Sequence, residues 1–163
     1  MALVVETGTG SATAESYITV ADANTRQTAF GVTAWTGTDA AKEAALRRAT
    51  AFMEQRYRQQ WQGSRLLSTQ ALSWPRDGAT VDGYAIDNDI VPDDVANACA
   101  DLAVAALSDT FNEAQTRGII REKIGPLETE YDAFSSQTKR YPAIDQMLAP
   151  YLIGGGRGRL LRA

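Results

Sequence analysis

The chain contains no histidine, and that single absence removes more chemistry than any motif adds. Without imidazole there is no Ser-His-Asp or Cys-His pair, and zinc sites of the common His/Cys type lack ligands. Carboxylate and lysine chemistry stays open, yet no nucleophile–base pair stands out, so an enzyme, a metal site and a cofactor are not expected. Cysteine is almost missing too: Cys99 stands alone. An intramolecular disulfide is therefore impossible, and its place in an apolar helical run marks a buried, inert thiol. Long apolar runs are absent, since stretches such as Leu102 to Leu107 fall far short of a membrane span. Met1 to Val5 lacks the basic start and apolar core of a secretory signal, so a cytoplasmic protein is expected. Basic excess is missing as well: 16 Lys and Arg face 20 Asp and Glu, a net charge of −4. A chain that binds nucleic acid with its whole surface is more often basic, which leaves only local patches.

What is present suits one soluble globular domain: 163 residues, 44% hydrophobic and 22% charged. The most informative stretch is Gly118 to Tyr131, GIIREKIGPLETEY. It reads as two strands folded about Gly125-Pro126. With a two-residue loop, Ile124 faces Leu127, Lys123 faces Glu128, Glu122 faces Thr129, Arg121 faces Glu130 and Ile120 faces Tyr131. Such charge pairs fix register more than they stabilise, at about 0.2 to 1 kcal/mol each. An isolated hairpin is marginal in water, so this one needs a surface to lie against, its own helices or another subunit.

Elsewhere the pattern is helical. Leu3 to Val5 is a short strand candidate, and TGTGSAT (Thr7 to Thr13) a flexible turn of small residues. Thr19 or Asp22 caps a short helix that runs to about Phe30 and stops at Gly31. Thr38 or Asp39 caps a longer one to about Gln59, with Leu46, Ala49, Met53 and Tyr57 on one stripe and Arg47, Arg48, Glu54, Arg58 and Gln59 outward. Trp61 to Asp89 reads as a long irregular connection, which is uncommon unless it packs or functions. Pro92 opens an alanine-rich helix whose stripe is Val95, Cys99, Leu102 and Ala106, the buried centre of the fold. Asp93 and Asp94 complement its dipole. After the polar stretch Ala133 to Arg140, Tyr141-Pro142 opens a last helix to about Leu152, with Ile144, Leu148 and Tyr151 on one side. The expected fold is mainly α, a compact helical bundle with a β-hairpin at 119–131 and extended N- and C-terminal arms. Residues 1–153 form one domain and 154–163 an arm.

Each candidate site has a structural counterpart. Gly8 to Gly10 lacks a P-loop lysine and a full GxGxxG pattern, so a plain turn is the better reading. Asp82, Asp87, Asp89, Asp93 and Asp94 do not follow the order of a calcium loop. Arg47, Arg48, Arg56, Arg58 and Arg65, interleaved with Tyr57, Trp61 and Trp74, offer phosphate contacts and base stacking of the kind single-strand binding uses. The same residues also read as a solvated helix face over core aromatics. In the C-terminal arm, Arg157, Arg159, Leu160, Leu161 and Arg162 follow a glycine run. They suit folding onto another protein as well as a frayed terminus.

The segments VVETGTG…SYITVADA, ALRRATAFMEQRY, QALSWPRDG, VPDDVANACADLAVAAL, REKIGPLETEY and YPAIDQMLAPYL occur in that order over nearly the whole chain. Their order resembles the small head-tail connector (adaptor) proteins of tailed bacteriophages, a type often labelled DnaT-like single-stranded DNA-binding proteins. The resemblance implies a non-enzymatic virion protein of the neck, made in the host cytoplasm. It would form a ring, usually dodecameric, under the portal protein. That ring would extend the channel for the packaged DNA and dock a tail or neck completion protein. On this reading Arg121, Lys123, Glu128 and Glu130 make subunit contacts, and Arg157, Arg159, Leu160, Leu161 and Arg162 bind the portal. The alternative is a single-stranded DNA-binding module that uses Arg47, Arg48, Arg56, Arg58, Tyr57 and Trp61.

Overall fold

The computed structural model describes residues 2–109, 111, 121–124, 127–130 and 140–154. The fold is mainly α, with small antiparallel strand pairs. Helix α1 (Val20–Ala29) starts at Thr19, whose backbone is extended and whose side-chain oxygen accepts the Asp22 N–H at 3.0 Å. It closes before Gly31, which takes φ +65°. Helix α2 (Asp39–Tyr57) is capped by Thr38 in the same way and ends two residues short of Gln59. Helix α3 (Asp93–Ala106) carries Asp93 and Asp94 in its first turn, with Pro92 as the N-cap rather than inside it. Helix α4 (Pro142–Leu148) has proline in its first turn and passes into a 3-10 turn at Ala149–Tyr151, so the last helix is shorter than its periodicity suggests.

The apolar stripes meet as their spacing requires. Helix α3 packs against α2, α1 and α4. Val95, Ala98, Cys99, Leu102, Ala103 and Ala106 bury against a face of α2 that includes Ala45, Leu46, Ala49, Met53 and Tyr57. Alanines on both sides permit a close approach, and the Thr50 Oγ1 lies 3.2 Å from the Cys99 Sγ. Burial pushes the Cys99 thiol above its ordinary pKa, in keeping with an inert residue.

The connection 61–89 is built rather than irregular. Strand β1 (Ser64–Arg65) pairs with β2 (Arg76–Asp77), and β3 (Thr80–Val81) with β4 (Tyr84–Ala85). The β3–β4 turn, Asp82-Gly83, has positive φ at both residues, the geometry of a tight I′ hairpin. The Trp74–Pro75 peptide is cis. Strand β5 (Arg121–Ile124) pairs antiparallel with β6 (Leu127–Glu130) in the register the charges suggested: Arg121 with Glu130, Glu122 with Thr129, Lys123 with Glu128 and Ile124 with Leu127. The Ile120–Tyr131 pair, Gly125-Pro126 and all but one residue of Ala133 to Arg140 lie outside the described residues.

The N-terminal segment departs from expectation. Leu3 to Val5 forms no strand; Val5 makes only an isolated parallel bridge with Ser16. The following turn is not a loose one. Glu6 is buried, and its carboxylate accepts the N–H groups of Gly8 (2.9 Å), Gly10 (3.0 Å) and Ser11 (2.8 Å). Small residues are needed there because the loop presses on residues 89–90. A Cβ on Gly8, at φ +103°, would lie 1.8 Å from the Asp89 carbonyl oxygen.

Two outcomes follow for chemical denaturation. Met53→Ala and Leu102→Ala, each emptying the α2–α3 contact, should lose about 2 to 5 kcal/mol. Gly8→Ala should lower the midpoint more than Gly31→Ala, because both strain a positive φ but only Gly8 meets backbone. Equal losses at the two glycines would show that the Gly8 contact is not what holds the loop.

Candidate functional site

The arginine and aromatic candidates of α2 and the following loop are brought together, but inward. Tyr57, Trp61 and Trp74 are 2%, 1% and 0% exposed. They form a continuous run with Tyr151, with ring centroids 5.8 to 5.9 Å apart and mostly edge-to-face. A base cannot stack on any of these buried faces, which corrects the reading of Tyr57 and Trp61 as stacking platforms. The physical reason is that Arg56 and Tyr57 at the end of α2 bond Asp145 of α4, Tyr151 of the 3-10 turn lies against Trp74, and Trp61 bridges Leu152 across that seam.

Three of the guanidinium groups, those of Arg47, Arg48 and Arg56, are occupied as well. Arg47 pairs with Glu15 at 3.0 Å and Glu43 at 3.4 Å. Arg48 donates from Nε and Nη2 to the Ala106 carbonyl at 3.1 and 2.6 Å, a cation at the negative end of α3. Arg56 grips Asp145 of α4 at 3.1 to 3.2 Å and lies over the Tyr57 ring at 5.4 Å. The Tyr57 hydroxyl donates to the same Asp145 at 2.6 Å. Arg65 is half-buried, and Arg58, at the C-cap of α2, is exposed.

Several polar residues that hold this region were not singled out by sequence. Glu54, expected to point outward, turns in. It accepts from the Tyr17 hydroxyl, from Ser73 N–H at 3.0 Å and from the Ser73 hydroxyl at 2.7 Å. Arg76 is buried and donates to the carbonyls of Gln62 (2.6 Å), Gly63 (2.7 Å) and Ser73 (3.1 Å). Gln70 donates to those of Leu72 and Pro75. Together they satisfy the backbone of a loop that has little ladder of its own. Glu6 plays the same part at Gly8 to Gly10: the amides that a phosphate would need already hold a carboxylate of the chain.

The hairpin differs from all of this. Among the described elements, β5 and β6 pair only with each other. Phe111 before it and Tyr141 after it both pack on Phe52 of α2, with centroids 4.8 and 5.7 Å away. Phe111 and Tyr141, on either side of it in sequence, thus meet at one aromatic cluster.

A family model described as "Putative DnaT-like ssDNA binding protein" matches residues 1–163. The chain belongs to that family. No curated protein and no solved structure matches it. In this DnaT-like chain the basic and aromatic residues best suited by type to a strand are mostly structural, and the arm residues Arg157, Arg159, Leu160, Leu161 and Arg162 lie outside the described residues.

The aromatic seam carries a pH signature. Burial, then the neighbouring Asp94, pushes the Tyr151 phenol up to about 12, and burial with Asp145 raises Tyr57 further in the same direction. The folded state therefore holds protons that the unfolded chain releases near pH 10. The stability from these phenols is complete below that pH and is lost as pH rises through about 12. Denaturation followed across that window should show a falling midpoint, with a shallower fall in Tyr151→Phe. An unchanged slope in the variant would remove Tyr151 from the account.

Proposed function

We propose that this chain is a non-enzymatic head-tail connector subunit that forms a ring, dodecameric by resemblance, beneath a portal protein. One face meets the portal, the other a tail or neck completion protein, and packaged DNA passes through the channel. The observation that carries the reading is the division of labour between core and hairpin. The aromatic rings a strand-binding protein would offer, Tyr57 and Trp61, are buried and Arg47, Arg48 and Arg56 hold partners within the fold, while β5–β6 has no cover from the described elements of its own chain. A two-stranded hairpin is marginal alone, so a neighbouring subunit supplies its surface. The motif order of the sequence and the acidic balance point the same way, because a channel wall must let DNA slide rather than hold it.

The second reading, single-stranded DNA binding, is favoured by the family's description. It would have to work without Tyr57 and Trp61 as stacking rings and with Arg47, Arg48 and Arg56 released from their partners. Native mass spectrometry of the protein, alone and with its cognate portal, with a labelled single strand as competitor, separates the two. A ring or stoichiometric portal complex indifferent to the strand is expected. Tight, salt-sensitive strand binding with no portal complex would overturn the connector reading.

The hairpin's part is tested by exchanging its charges. A variant with Arg121→Glu, Lys123→Glu, Glu128→Lys and Glu130→Lys keeps cross-strand complementarity, so folding should be unchanged while assembly is lost. Assembly at the wild-type level would remove these residues from the subunit contact.

A further inference from the structure

Between the N-terminal segment, the start of α1 and the start of α3 lies a cleft of about 460 Å³, a size that ligand-sized groups fill. Its lining carries an apolar stretch, with Ile18 buried, Val91 and Ala96 half-buried and Ile90 42% exposed, beside the buried Glu6 and Tyr17. Asp22 and Asp93 stand on the rim, both exposed and neither in a salt bridge among the described residues. No lysine or arginine is found among the described residues that line it. The helix starts account for the carboxylates but not for the apolar stretch beside them. An occupant must therefore bring apolar side chains flanked by positive charge.

The sequence contains a segment of that chemistry, Arg157-Gly158-Arg159-Leu160-Leu161-Arg162, beyond a glycine run. We infer that the cleft receives this segment from a second copy of the chain, with the leucines over Ile18, Val91 and Ala96 and the arginines against Asp22 and Asp93. The inference rests on the ring reading, in which each subunit offers a groove on one side and a segment on the other, the head-to-tail contact a closed ring requires. It gives the arm to a neighbouring copy, where the sequence resemblance gives it to the portal.

Cysteine trapping between two full-length variants tests this. Asn97→Cys places a thiol in the cleft wall and Leu161→Cys one in the arm, while native Cys99 is buried and stays silent. Under mild oxidation the mixture should give heterodimer well above a control pair of Leu161→Cys with Ala51→Cys, an exposed position on α2. Added salt, or Asp22→Asn with Asp93→Asn in the cleft partner, should lower the yield several-fold. A yield equal to the control overturns the contact. An intramolecular disulfide in monomeric chain carrying both Asn97→Cys and Leu161→Cys also overturns it, because the arm then sits on its own copy. Native mass spectrometry of the unaltered protein with portal separates the failures. A ring or portal complex without excess cross-link rejects the arm contact alone, and loss of both rejects the connector reading as well.

Discussion

The structure depends on the close approach of α2 and α3. Alanines on both helices, Ala45 and Ala49 facing Ala98, Ala103 and Ala106, leave room for backbones to come together, and Leu46, Met53, Val95 and Leu102 fill what remains. Once that pair is fixed, the flanks of α2 are fixed too, and they face particular neighbours. Arg48 reaches the carbonyl end of α3, Arg56 reaches α4 and Glu54 reaches the loop at Ser73. A row of charges that looks solvated on a helical wheel is therefore a set of couplings between elements.

Those couplings explain what was legible in the sequence and what was not. The caps at Thr19 and Thr38, the stripes of α2 and α3 and the register of β5–β6 follow from local chemistry: a hydroxyl before a helix, a period of 3.6, opposite charges at matching offsets. The inward turn of Glu54 depends on Tyr17 and Ser73, both distant along the chain, and no local pattern announces it. The same holds for Glu6, whose neighbours Gly8 and Gly10 suggest a turn but not the carboxylate that fills it. Helix and strand periodicity also says nothing of Trp61 to Asp89, where order comes from Arg76 and Gln70 satisfying carbonyls one by one.

The candidate nucleic-acid patch illustrates the same limit. Arginines spaced among aromatics give one composition for a stacking groove and for a core rimmed by ion pairs. Exposure decides between them, and it is set by whether another element lies over the rings. Here α4 and the 3-10 turn do so, with Tyr151 completing the aromatic run and bonding Asp94 at the head of α3. The last helix thereby closes both the aromatic seam and the start of the central helix. Its periodicity in sequence predicted a buried side, but not which rings it would cover.

A consequence for function follows from how the polar groups are divided. Charges placed in bonds within one subunit set its internal geometry, whereas those left at a rim are free to set partner choice. Rim pairs are weak singly, at about 0.2 to 1 kcal/mol, so specificity from them needs several acting together over an apolar patch. The Asp22–Asp93 rim has that form, and on the ring reading proposed above it would gain strength by repetition around a ring rather than within one copy. A subunit built in this way need not assemble strongly alone. On the connector reading proposed above, its contacts would accumulate when a portal holds the copies in register.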